Sequence, residues 1–300
     1  MDVSSIPGFD STVSLKNVFS IDVEDYFQVS AFADRIDHKE WDNHPLRVEK
    51  NTFKLLDLFD EHQIKATFFI LGWVAERKKD LVLEIAKRGH EVACHGYSHQ
   101  LVYNQTPDIF QQETVRAKSI LEDIIQQPVL GYRAASYSIT EKSLWALDIL
   151  AESGFVYDSS IFPVRHDRYG MPDTPEYPYH LKTPAGHTII EFPLSTAKIL
   201  NYRLPVAGGG YFRLYPYWLS KMGLKQINRQ QKPFIFYLHP WEIDPDQPRI
   251  SASWFSRFRH YNNLDKCETR LRNLMSDFQF TTTWDVISDL GLNDASTDSE

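Results

Sequence analysis

Three hundred residues, 42% of them hydrophobic and 24% charged, suit one large α/β domain with its own core. The formal net charge of −8, with no basic run, disfavours nucleic acid and a bare anionic membrane as partners, and no stretch of ~18 apolar residues marks a transmembrane span. Two cysteines make no disulfide framework and suit a reducing compartment. Residues 1–5 lack the basic start and apolar core of a signal peptide, so a bacterial cytoplasmic location is expected. The polar residues 293–300 are expected to fray.

Taken in chain order, residues 18–27 begin as a buried strand and end in acids. Asp22 and Glu24 share a face if the strand persists, roughly 7 Å apart, whereas Asp25 points the other way unless the chain turns. Residues 48–59 repeat an apolar face at helical spacing, and 64–72 read as a buried strand. A short helix over 81–88 closes at Gly89. The next strand must stop near Cys94, because His95 and His99 share one metal ion only if the chain curls between them; in a strand they would stand about 13 Å apart. Cys94 itself reads as a small buried residue.

Helices are expected over 107–126, opening at Thr106-Pro107, and over 140–153, with Thr140 as cap. Strands over 128–133 and 155–160 end on Arg133 and Asp158. From 162 to 210 the pattern loosens into an aromatic and polar stretch, a lid, a groove wall or a structural insertion, with one strand at 188–192. Gly208-Gly209-Gly210 lacks the Lys-Ser/Thr of a phosphate loop and fits a tight turn or a close backbone approach. Residues 234–242 form a last apolar run ending in His239, stopped by Pro240, with Trp241 placed to wall a pocket. Singly, these residues have plain structural explanations: a solvated acidic loop, a surface histidine pair, a satisfied core histidine. Jointly, five strand ends carrying Asp, His, Arg, Asp and His have the form of a barrel active site.

In this order of motifs, from Asp22 to about Trp241, the chain resembles the polysaccharide deacetylase family, the NodB-homology group also called carbohydrate esterase family 4. Residues 22–27, 159–163 and 208–212 resemble more closely the subgroup encoded with exopolysaccharide and exosortase-type systems in Gram-negative bacteria. There a C-terminal extension follows the core, and residues 256–261 look like part of it. The resemblance implies a distorted (β/α) barrel of about seven repeats in a single catalytic domain, with a core near 15–245 and an extension near 246–290. It matches Asp22 to the general base, His95 and His99 to metal ligands, and Glu24 or Asp25 to the metal carboxylate. Strand alternation favours Glu24 of the two. Arg133 matches the residue that orients the base, His239 the general acid, and Asp158 the acid paired with that histidine; Tyr137 and Trp241 are assigned to the substrate. Two departures stand out. Val23 separates acids that are usually adjacent, and Ala135 occupies a position usually held by Pro, which bears on the rigidity of the Arg133 loop.

The implied activity is removal of N-acetyl groups from N-acetylhexosamine units of an exopolysaccharide or its precursor. One divalent metal is implied: zinc is favoured, and cobalt, nickel and iron suit the same donors. Two other readings are an allantoinase-like hydrolase of cyclic amides and a sugar-binding protein without turnover. An N-acetylated saccharide is the expected partner, and the oligomeric state is open.

Overall fold

The structure, a computed structural model, describes residues 15–166, 169–199 and 202–294; residues 1–14 and 295–300, which carry the signal-peptide and most of the fraying expectation, lie outside them. Eleven strands appear among the described residues: β1 (Asn17–Val23), β2 (Thr67–Ile70), β3 (Glu91–Cys94), β4 (Gly131–Tyr132), β5 (Tyr157–Asp158), β6 (Tyr179–Lys182), β7 (Thr188–Glu191), β8 (Thr196–Ile199), β9 (Tyr202–Pro205), β10 (Ile235–Leu238) and β11 (Phe280–Thr281). Ten α-helices accompany them: α1 (Val48–His62), α2 (Gly72–Arg77), α3 (Lys79–Lys87), α4 (Pro107–Ile125), α5 (Trp145–Glu152), α6 (Gly209–Leu214), α7 (Tyr217–Arg229), α8 (Trp254–Tyr261), α9 (Leu264–Asp277) and α10 (Thr283–Asp289).

The main sheet runs β10-β1-β2-β3-β4-β5-β7-β6, with β11 also paired to β1; only the β6–β7 pair is antiparallel. It is a curled, mostly parallel half-barrel of mixed α/β class. Strand β1 is buried at every residue, as a strand covered on both faces must be. The register sets the site. Val23 pairs with Ile70, Ile70 with Cys94, Cys94 with Tyr132 and Tyr132 with Asp158, while Ile21 pairs with Leu238 on the other side. The next residues along these strands, Glu24, His95, Arg133, Ser159 and His239, therefore leave the sheet at one end.

Some elements are shorter than their sequence suggests. The helix expected over 140–153 begins at Trp145. Thr140 does not cap it: its N–H donates to Ser143 Oγ at 2.9 Å while Ser143 N–H returns to the Thr140 carbonyl, a local turn that competes with helix. The strands expected over 128–133 and 155–160 shrink to two residues each, since Val156 N and Tyr157 N both donate to the Leu130 carbonyl and the pairing there is irregular. The loose stretch after 162 resolves into the β6–β7 hairpin at the sheet edge and a separate β8–β9 hairpin whose base is fastened to β10 through Ser195 Oγ. Gly208 (φ 130°) follows that hairpin, and a Cβ there would lie 2.0 Å from the Tyr237 carbonyl oxygen; the close backbone approach requires glycine.

Candidate active site

Three ligand-type side chains meet where β1 and β3 end. Glu24, His95 and His99 place ligand atoms within 4.8 Å of one another. The chain curls between the imidazoles because Gly96 (φ 72°) and His99 (φ 54°) both take left-handed backbone. His95 Nδ1 donates to the Arg133 carbonyl at 2.7 Å, which leaves Nε2 free to face inward. His99 Nε2 lies 2.8 Å from Glu24 Oε2, yet that buried oxygen has no hydrogen bond of acceptable geometry. A ring nitrogen and a carboxylate oxygen this close, with His95 beside them, fit ligands that can share one cation. Burial pushes Glu24 up, but the imidazoles of His99, His239 and His95 outweigh it and hold the carboxyl down to about 2; burial brings His95 down to about 4, the neutral ligand form.

Asp22, two residues earlier on β1, accepts from Arg133 NH1 at 2.6 Å through Oδ1. Arg133 has no exposed surface, and every nitrogen is engaged: NH1 also with Ser20 Oγ, NH2 with Ser159 Oγ, Nε with the Ser159 carbonyl. Its guanidinium lies 4.0 Å over the Phe69 ring. A planar fork held on all sides fixes the carboxylate it grips. The loop beyond Arg133, where Ala135 replaces Pro, is held by hydrogen bonds instead: Ala134 N to Ser160 Oγ, Val102 N to Ser138 Oγ and Ser136 Oγ to Ser30 Oγ. Ser136 and Tyr137 are both left-handed (φ 50° and 56°), a strain that such bracing sustains.

His239 Nε2 lies 3.5 Å from Glu24 Oε1 and 3.9 Å from Asp22 Oδ2. Its Nδ1 is 2.8 Å from Glu242 Oε1. Glu242 is in turn gripped by buried Arg213 of α6, Nε to Oε2 at 2.5 Å. Burial works against the imidazolium, but Glu24, Glu242 and Asp22 raise His239 to about 9; burial likewise works against the Glu242 carboxylate, and Arg213 and His239 hold it down to about 2. Trp241 is buried beside these groups. Its ring stacks between His239 (5.1 Å) and His260 of α8 (4.1 Å), and Nε1 donates to Glu24 Oε1 at 3.3 Å.

Two residues singled out from the sequence stand elsewhere. Asp25 faces away from the imidazoles: Oδ2 accepts from Arg47 N and Val48 N at the start of α1, and Oδ1 from Tyr26 N, so it caps a helix. Asp158 is not the partner of His239; its Oδ1 accepts from Ser160 Oγ, and it lies against the buried carboxyl of Glu191. Glu242 takes the expected place because the turn after β10 brings it under Nδ1. Tyr137 is buried among the rings of Phe162, Tyr169 and Tyr237, within electrostatic reach of Asp22 and Arg133. Glu242, Arg213 and His260 were missed. For Glu242 a signal existed: Pro240 followed by Glu242 is a helix-start pattern that returns the carboxylate to the backbone N–H of His239, here at 3.1 Å.

With this geometry in place, comparison with known proteins is direct. Residues 40–155 match the polysaccharide deacetylase family, and residues 159–288 match a domain of unknown function, DUF3473. The first of these matches, to the family described as polysaccharide deacetylase, covers 116 residues, less than half of the chain. A peptidoglycan-N-acetylglucosamine deacetylase of Bacillus cereus is 33% identical over 98 residues, 32% of this chain and 36% of that protein. The chain spans well under half the length of the curated relatives it matches. In fold it is similar to a putative polysaccharide deacetylase from Mycobacterium smegmatis (TM-score 0.63, 18% identity, 99% of this chain and 97% of that one). It is also similar to the Puue allantoinase (TM-score 0.60, 15% identity, 94% and 92%). These two likenesses concern the fold alone. The deacetylase match holds His95, His99 and Arg133, the DUF3473 match holds His239, Trp241 and Glu242, and β1 with Asp22 and Glu24 precedes both. The site is assembled from all three.

Proposed function

We propose that the protein is a metal-dependent N-deacetylase acting on N-acetylhexosamine units of an exopolysaccharide or its precursor in the bacterial cytoplasm. One observation carries the reading: a Glu24–His95–His99 cluster flanked by an Arg-gripped Asp22 and a Glu-paired His239, in a chain whose residues 40–155 match the polysaccharide deacetylase family. Two buried free cysteines, Cys94 and Cys267, agree with a reducing compartment. The exopolysaccharide rests on the resemblance of residues 22–27, 159–163 and 208–212 to that subgroup.

Glu24, His95 and His99 would hold one divalent ion, zinc by preference, with cobalt, nickel or iron accepting the same donors. Such an ion supplies a Lewis acid and a water acidic enough to lose a proton near neutral pH. Asp22 Oδ2, the oxygen that Arg133 does not hold, is placed to accept a proton from the attacking water. Arg133 keeps the carboxylate aimed while the water oxygen adds to the acetyl carbon. His239, charged between Glu242 and the strand-end acids, passes its Nε2 proton to the amide nitrogen as the C–N bond breaks. Acetate and a free amine leave, and the products carry every atom of the amide and the water. Trp241 restrains Glu24 and the His239 ring together, so the acid and the ligand stay in register.

Acetate release from N-acetylglucosamine oligomers, with chelator-stripped full chain and added zinc or cobalt, tests the reading. Metal-dependent release supports it. Hydrolysis of a cyclic amide with no acetate release would transfer the site to the allantoinase-like chemistry.

A further inference from the structure

Charge is distributed very unevenly along this acidic chain. Residues 192–264 carry ten lysines and arginines against three acids, although the whole chain is −8. Between Gln247 and Leu264 there are three arginines, Arg249, Arg257 and Arg259, and no acid. Helix α8 lies in this stretch, and its two faces differ sharply.

The inner face is anchored at the active site. His260 is buried, bonded to Gln247 Oε1 at 2.7 Å and stacked on Trp241. Arg213 gathers the carbonyls of Arg259, His260 and Asn262 at the C-terminal end, where a cation is favoured. The opposite face carries Trp254, Phe255 and Phe258, exposed by 76%, 60% and 41%. Trp254 and Phe258 stack at 5.5 Å one turn apart, and Arg259 lies 5.6 Å over Phe255. Three large exposed aromatics on two turns, beside arginines that make no ion pair among the described residues, have no role in the core.

We infer that α8 is a membrane-interface helix that seats the protein on an anionic lipid surface, so that the substrate reaching the site is a lipid-borne saccharide. Aromatic rings on one face and arginines beside them are what the headgroup layer of an anionic bilayer accommodates. A neutral N-acetylated sugar gains nothing from the arginines, and a second copy would bring like charges together. The net charge argues against attachment over the whole surface, and contact is located at the basic, aromatic face of α8. The choice of substrate rests on the deacetylase proposal; the lipid contact does not.

Flotation of the full chain with phosphatidylcholine vesicles, with and without phosphatidylglycerol, tests this. Binding to the anionic vesicles is expected. It should weaken about tenfold or more in Trp254→Ala/Phe255→Ala/Phe258→Ala and in Arg257→Gln/Arg259→Gln. Both variants should keep the wild-type thermal midpoint, since all five side chains lie outside the core. No binding by the wild-type protein, or binding indifferent to both variants, overturns the inference. So does a raised KM for soluble oligosaccharide in the aromatic variant without vesicle binding, which would make the face a saccharide platform. Flotation needs no turnover, so vesicle binding without deacetylation would count against the catalytic reading alone.

Discussion

His239 and Glu242 face each other across a single turn: imidazole Nδ1 and carboxylate Oε1 are 2.8 Å apart, and the same oxygen accepts the His239 backbone N–H. The carboxylate thus sets the ring's tautomer, its orientation and its affinity for a proton at once. Because Arg213 holds the other oxygen, the positioning chain runs from the α8 carbonyls through Arg213 and Glu242 to the ring that faces Asp22 and Glu24.

Glu242→Gln should therefore cost both activity and stability. Loss of the negative partner lowers kcat by about tenfold to a hundredfold, in the range of general-acid effects. It also leaves the Arg213 charge buried without its anion, which costs about 3 kcal/mol. Steady-state kinetics and urea unfolding read the two effects separately. Wild-type kcat in this variant would remove Glu242 from the account.

Asp158→Asn should behave differently. The side chain bonds Ser160 and faces Glu191, so kcat is expected to fall less than about fivefold, well below the loss in Glu242→Gln. Equal losses in the two variants would restore the pairing that the sequence resemblance implied.

The Asp158–Glu191 pair also predicts a pH dependence of stability. Burial raises Asp158 to about 6, and burial with the neighbouring Asp158 carries Glu191 well above the ordinary carboxylate value. The folded protein then retains protons that the unfolded chain has released, so this pair's contribution falls as pH rises from the unfolded carboxylate range through about 6. In Glu191→Gln the amide replaces the shared proton. The variant should gain on the order of 1 kcal/mol relative to wild type between about pH 5 and about pH 7.5. Urea midpoints at the two pH values check the sign; a gain in the opposite direction contradicts it.

The longer elements were legible because their periodicity is strong. Helices α1 and α4 and the strands β1 to β3 follow from apolar spacing, and the end of β3 near Cys94 follows from asking how two imidazoles could share one ion. Strands β4 and β5 were legible only as apolar runs, because two paired residues set no periodicity. Strand alternation favours Glu24 over Asp25 without deciding between them, and in the structure Asp25 is occupied by the backbone N–H groups at the start of α1. What the linear order concealed was which carboxylate lies under His239. Asp158 and Glu242 both follow strand ends, and only the turn after β10 decides between them. The stack of His260 on Trp241, nineteen residues apart, had no periodic signature at all.

Asp25 and Glu24 offer a paired test of ligand against cap. Asp25→Ala should lose about 1–2 kcal/mol of stability through α1 while retaining metal affinity. Glu24→Ala should do the reverse, weakening metal binding while leaving the helix start intact. Titration calorimetry with zinc and thermal unfolding distinguish them.

The most direct measurement is zinc stoichiometry together with acetate release, for chelator-stripped wild-type protein and Asp22→Asn. One ion per chain in both, with release from N-acetylglucosamine oligomers abolished only in the variant, is the predicted result. Absence of a bound ion in the wild-type protein, or undiminished release by Asp22→Asn, would contradict the account.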